Sequence, residues 1–228
     1  MPLLPPEQLR SIASTLAQKL DILQIDYAIM GGAAVCLLTH DPNRRTEDVD
    51  LVIHVDQRQI TADRLTTRLL TSFPSDFGPV NQFGHIIPAY RLGFPGGKEL
   101  LVELEVFDHQ SWPQRPQYNL QTASRRTLTI NGYPVKTFSP EWILREKILS
   151  QYQRQGPKAQ TDIRDVERLI IFAVPGTPEL DFSHIEELKA ALADLLKNWP
   201  GMRQALKQKI NCPAIFNNWY APLSSLSE

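Results

Sequence analysis

Cysteine is scarce in this chain. Only Cys36 and Cys212 occur among 228 residues, and they form no Cys-x-x-Cys pair. That excludes a disulfide-stapled scaffold and a cysteine zinc site. Cys36 lies in an apolar stretch, where it reads as a small buried hydrophobe, and little motivates a disulfide to Cys212. The five histidines, His40, His54, His85, His109 and His184, have no metal-ligand spacing. Charge of one sign is also missing: 24 Lys and Arg stand against 25 Asp and Glu, a formal charge of −1. This excludes the broadly basic balance of a general nucleic-acid binder, though not a local basic patch. No apolar run approaches the roughly 20 residues of a membrane span. The start, MPLLPPEQLRS, has neither a basic n-region nor a long apolar h-region. A cytoplasmic protein without a membrane partner is therefore expected. There is no internal repeat and no low-complexity linker.

What is present is an ordinary globular composition, 42% hydrophobic and 21% charged. The length suits one large domain or two small ones. Leu9, Ile12, Leu16, Leu20 and Leu23 recur at helical spacing after Pro5-Pro6-Glu7, predicting an amphipathic helix. Tyr27 to Met30 reads as a short buried strand that ends at Gly31-Gly32, and residues 33–38 as a helix beginning at the glycine pair. Val49, Leu51, Ile53 and Val55 alternate with Asp48, Asp50, Val52 and His54, so residues 48–55 are expected as a strand. Residues 57–72 read as a helix and 73–88 mostly as loop. Residues 89–94 and 100–107 flank Pro95-Gly96-Gly97-Lys98 as a hairpin; residues 127–130 and 135–138 flank Asn131-Gly132 as another. Ser139-Pro140-Glu141 starts a helix, with Ser as N-cap and Pro at the first position. Further helices are expected over 161–172, 183–198 and 202–209. The tail from 212 to 228, with Phe216, Trp219 and Tyr220, reads as irregular. The fold class expected is α+β: a small mixed sheet flanked by helices over residues 1–138, then a helical region over 139–228.

Chemistry concentrates between Tyr27 and Ile53. A glycine turn at a strand-to-helix junction presents bare backbone N–H groups to an anion. Asp48 and Asp50, two residues apart on a strand, share a face. A phosphate cradle beside paired carboxylates suits a nucleoside triphosphate with Mg²⁺. Alone, an Asp-x-Asp would read as the exposed face of an edge strand. Two carboxylates bridge a pair of metals about 3.5–4 Å apart only when a third acid completes the cage. Glu103 and Glu105 share a face of the strand over 100–107. Glu105 or Glu103 can supply that acid if this strand lies beside the first.

Gly31-Gly32-Ala33-Ala34 followed by Arg44-x-Thr46-x-Asp48-Val49-Asp50-Leu51 resembles the signature of the DNA polymerase β-like nucleotidyltransferase superfamily. It is most similar to the minimal nucleotidyltransferases of the abortive-infection (AbiEii-like) toxin type. The likeness covers roughly residues 20–169 at motif level. Many relatives have Gly-Ser where this chain has Gly31-Gly32. The resemblance implies a nucleotidyltransferase core that moves a nucleoside monophosphate from an NTP, ATP among them, to an acceptor hydroxyl with Mg²⁺, two ions being possible. Asp48, Asp50 and Glu105 would be catalytic and hold metal. Gly31, Gly32, Arg44 and Thr46 would bind nucleotide. Relatives also carry a helix lysine that reaches the triphosphate and then a D-x-x-D helix; Lys147 and Asp162-Ile163-Arg164-Asp165 match, so Lys147 and Asp162 join the nucleotide-binding set. The alternative for these is a solvated helix face with ordinary i,i+3 and i,i+4 pairs. The acceptor (a tRNA end, a protein side chain or a small molecule), the nucleotide and the oligomeric state are left open. A catalytically degenerate nucleotidyltransferase fold that binds nucleotide or a partner is the second reading.

Overall fold

The computed structural model describes residues 3–217, so Trp219, Tyr220 and the rest of the tail lie outside the described residues. The chain forms two compact units, Met1–Ser139 and Pro140–Glu228. No helix among the described residues is long and apolar enough to cross a membrane.

The first unit is a mixed sheet with three helices. Its elements are α1 (Pro6–Ile22), β1 (Tyr27–Met30), α2 (Gly31–Thr39), β2 (Val49–Ile53), α3 (Ala62–Ser72), β3 (Phe77–Gln82), β4 (His85–Gly93), β5 (Glu99–Asp108), β6 (Arg125–Ile130) and β7 (Tyr133–Phe138). The seven strands lie in the order β3-β4-β5-β2-β1-β7-β6. β1 runs antiparallel to β2 and parallel to β7, and β2 runs parallel to β5. The middle of the sheet is its driest part. All four residues of β1 are buried, and in β2 only Asp50 is not. α1 packs on β6 and β7, and its Leu9, Ile12, Leu16 and Leu20 are each at most 1% exposed. Each such side chain contributes about 1.5–3 kcal/mol of transfer free energy. α2 lies on β1 and β2, and α3 on β3 to β5.

The tail, read as irregular from 212, opens with a short helix at Pro213–Asn217, and two further expectations need correction here. The helix over 57–72 begins only at Ala62. Arg58 pairs with Asp56 at 2.6 Å and donates to the carbonyls of Leu23 and Gln24, while Gln59 has φ 56°, so residues 56–59 form a tethered turn. Thr61 then caps α3 by accepting from the Arg64 N–H. Residues 73–88 are not mostly loop. They contain β3 and the start of β4, which are joined by a two-residue turn at Phe83-Gly84. Both turn residues have positive φ, 51° and 87°, the conformation that lets a tight hairpin follow the twist of its strands.

The second unit is helical: α4 (Pro140–Gln153), α5 (Pro157–Ile170), α6 (Glu186–Asn198), α7 (Arg203–Lys207) and α8 (Pro213–Asn217), with short 3₁₀ turns between. α4 packs against α5 and α6. Its core gathers Trp142, Leu144, Ile148, Val166, Leu169, Leu192 and Leu195. Glu141 is buried because its carboxylate accepts from the Val174 N–H at 2.7 Å. The Gln151 amide, also buried, donates to the carbonyls of Ile148 and Ala191.

Candidate functional site

Strand register assembles the candidate site in the first unit. In the ladder, Asp50 faces Met30 of β1 on one side and Glu105 of β5 on the other. Met30 is the residue before α2, so Asp50 sits at the point where β1 turns into that helix. The turn is made by Gly31 at φ +64°, and a Cβ there would collide with the Asp50 carboxylate. Any other residue would pay twice, once for the left-handed backbone and once for the collision. A Cβ on Gly32 would meet the Thr46 hydroxyl at 2.7 Å and the Arg44 guanidinium at 3.0 Å. The first turn of α2 therefore lies directly under Arg44 and Thr46. Its free backbone N–H groups and positive dipole end favour an anion.

Asp48 stands one residue before the β2 ladder, rather than within it as the alternation predicted. The loop in front of it is pinned at several points. The Thr46 hydroxyl donates to Asp48 Oδ1 at 3.1 Å. The Thr46 carbonyl accepts from the Leu4 N–H at 2.7 Å. The Cys36 thiol donates to the Arg44 carbonyl at 3.2 Å, so that buried cysteine also ties α2 to the loop. Both cysteines are buried, and neither is in a disulfide.

One carboxylate oxygen from each of Asp48, Asp50 and Glu105 lies within 4.8 Å of the other two, and all three residues are partly exposed. Glu103 is outside this group. Three hard oxygen donors gathered in this way suit a small divalent cation. A side chain from the unforeseen hairpin reaches the same place. Gln82 Nε2 donates to Glu105 Oε1 at 3.0 Å and to Glu103 Oε2 at 3.2 Å. Burial, and then the charges of Glu105 and Asp48, hold the Glu103 carboxyl above its usual range. Gln82 was absent from the sequence reading. Residues 77–82, Phe77-Gly78-Pro79-Val80-Asn81-Gln82, carry no clear apolar–polar alternation that would have found it.

Lys147, Asp162 and Asp165 come together in the second unit, across α4 and α5. Lys147 Nζ lies 2.6 Å from Asp162 Oδ1 and 2.9 Å from Asp165 Oδ2. Side-chain exposures are 10% for the lysine and 3% and 0% for the two acids, so this is a buried ion cluster and not a solvated helix face. Arg154 approaches Asp162 at 3.4 Å and Arg168 approaches Asp165 at 3.8 Å.

The chain is similar to known nucleotidyltransferase proteins. The family model described as "Nucleotidyl transferase AbiEii toxin, Type IV TA system" matches residues 14–197. The crystal structure of an antigenic nucleotidyltransferase-like protein from Paracoccidioides brasiliensis is 67% identical, covers 95% of this chain and 100% of its own, and superposes with a TM-score of 0.91. The antibiotic-resistance factor ANT(2'')-Ia in solution is similar at 13% identity over 87% of this chain and 97% of its own, with a TM-score of 0.46. The lincosamide antibiotic adenylyltransferase LnuA is similar at 10% identity over 70% and 96%, with a TM-score of 0.41. No curated protein matches the chain.

Proposed function

We propose that this chain, which belongs to the AbiEii nucleotidyl transferase toxin family, is a Mg²⁺-dependent enzyme that moves a nucleoside monophosphate from an NTP to an acceptor hydroxyl. The observation that carries this reading is the group Asp48, Asp50 and Glu105, three carboxylates within 4.8 Å, set against the glycine turn that starts α2. Their all-oxygen chemistry fits Mg²⁺, and in this reading they hold it. When bound there, the metal supplies charge neutralisation for the triphosphate and acidifies the acceptor hydroxyl.

The chain's own groups do the rest. Backbone N–H groups of Gly31 and Gly32 cradle phosphate oxygens, and Arg44 adds a positive charge above them. Thr46 fixes the orientation of Asp48 through the 3.1 Å hydrogen bond. The acceptor oxygen bonds to the α-phosphorus as the bond to the bridging oxygen breaks, so pyrophosphate leaves. Glu105 helps to draw off the hydroxyl proton. The resemblance also gives Lys147 and Asp162 a nucleotide-binding role, which the KM for NTP of Lys147→Met tests. A cytoplasmic toxin that modifies an RNA, a protein or a small molecule is the biological setting this reading implies.

The test is transfer of label from α-³²P NTPs, each of the four in turn, into separate RNA, protein and small-molecule fractions with Mg²⁺. The wild type labels one fraction, and Asp48→Asn labels none. Full activity in Asp48→Asn overturns the metal role. A second reading, a nucleotide- or partner-binding module without turnover, is favoured by one observation: the charge of Lys147 is already matched by Asp162 and Asp165. Calorimetric binding of an NTP without transfer to any fraction selects it.

A further inference from the structure

Gln82 belongs to the hairpin that sequence patterning did not find, and its amide spans two of the site's acids. Gln82 Nε2 is 3.0 Å from Glu105 Oε1 and 3.2 Å from Glu103 Oε2, so both N–H bonds of one amide are used. Ionised carboxylates only accept hydrogen bonds, which fixes the amide nitrogen, and not its oxygen, toward them. The contact is anchored from behind. Gln82 pairs with His85 on the last rung of the β3–β4 ladder, and the Phe83-Gly84 turn closes immediately beyond it. Glu103 and Glu105 stand two apart on β5, with side chains on one face, and repel each other. A shared neutral donor holds them side by side without cancelling their charge. A lysine or arginine here would pair with them outright and compete with any cation.

Resting on the nucleotidyltransferase reading above, we propose that Gln82 is a positioning residue for the metal-binding group, fixing the Glu105 carboxylate toward Asp48 and Asp50 while holding Glu103 aside. It touches neither nucleotide nor acceptor in this assignment. Its role is that of an outer hydrogen-bond partner, whose loss typically weakens metal affinity about 10–100-fold.

The experiment titrates Mn²⁺ into the full chain and follows free Mn²⁺ by electron paramagnetic resonance, without nucleotide. Gln82→Met keeps length and apolar stem but lacks the donors, and Gln82→Ala serves if the methionine variant fails to fold. The expected result is Mn²⁺ binding about tenfold weaker than wild type. The Mg²⁺ concentration that half-saturates transfer rises in parallel, and NTP affinity at saturating Mg²⁺ does not change. Unchanged Mn²⁺ binding in both variants, with wild-type binding intact and lost in Asp48→Asn, overturns the role of Gln82 alone. A wild-type chain that binds no Mn²⁺, or an Asp48→Asn variant that binds it as well as wild type does, overturns both this inference and the reading it rests on.

Discussion

The two units each gather acidic side chains, and they treat them in opposite ways. In the first, Asp48, Asp50 and Glu105 converge within 4.8 Å while partly exposed. Asp48 accepts from the Thr46 hydroxyl and Glu105 from the Gln82 amide, both neutral donors. In the second, Asp162 and Asp165 are sealed from water, and Lys147 lies within 3 Å of each. Burying a charge without a partner costs several kcal/mol, so the second cluster carries its own counter-charge. The first is partly exposed and open to a cation from outside. Acids gathered around a buried lysine carry their counter-charge with them; partly exposed acids leave room for a cation.

Neutralising substitutions separate the two clusters. Asp48→Asn, in the first, lowers the rate of transfer by about ten-thousandfold, or about 5 kcal/mol in the barrier. The same variant gains stability, because one of three mutually repelling charges is gone, and such gains at functional sites reach about 0.5–2 kcal/mol. Urea denaturation alongside the transfer assay reads both. A loss of both stability and activity would make the first cluster structural as well. Lys147→Met, in the second, has the reverse profile. It strands Asp162 and Asp165 without their lysine and destabilises the chain by about 3–5 kcal/mol. If instead stability holds and the KM for NTP rises, the lysine serves the nucleotide more than the fold.

Gly31→Ala is smaller and tests how tightly the first cluster is built. The added methyl collides with the Asp50 carboxylate, and the backbone stays at φ +64°. Strain of this kind costs about 1–3 kcal/mol. Because it displaces a carboxylate, Mn²⁺ affinity falls along with thermal stability. Loss of stability with intact Mn²⁺ binding would mean that Asp50 relaxes freely, contrary to a pre-set group.

What could be read from the sequence follows the same division between local and distant causes. Gly31, Asp48 and Asp50 were legible because a turn and a two-residue spacing on an extended segment are local chemistry. Asn131-Gly132 was legible as a hairpin for the same reason, since both residue types tolerate positive φ. The twin turn at Phe83-Gly84 was not. A phenylalanine is an unexpected residue at φ 51°, and this one is 98% exposed, so nothing in its type announces a turn. With it went β3 and Gln82. The Lys147 cluster was half legible. The spacing of Asp162 and Asp165 puts both on one face of α5, but the depth of that face depends on α4 packing over it, which no short stretch encodes. The choice between Glu103 and Glu105 was equally beyond patterning, since both occupy the same face of β5. It is the parallel register that sets Asp50 beside Glu105.

Glu103→Gln tests that last distinction and has the smallest expected effect. Glu103 lies two residues along the strand from Glu105, shares the Gln82 amide, and is outside the group of three. Its carboxyl is held above the ordinary range by burial and by the charges of Glu105 and Asp48. A glutamine in its place keeps an acceptor for the Gln82 N–H while removing one negative charge from the neighbourhood. Stability therefore rises by no more than about 0.5–1 kcal/mol, and transfer at saturating Mg²⁺ stays within about threefold of wild type. Glu105→Gln, measured beside it, loses transfer as Asp48→Asn does. If the two glutamines exchange these outcomes, the third acid is Glu103, and the hydrogen bond from Gln82 to Glu105 is a contact of the fold.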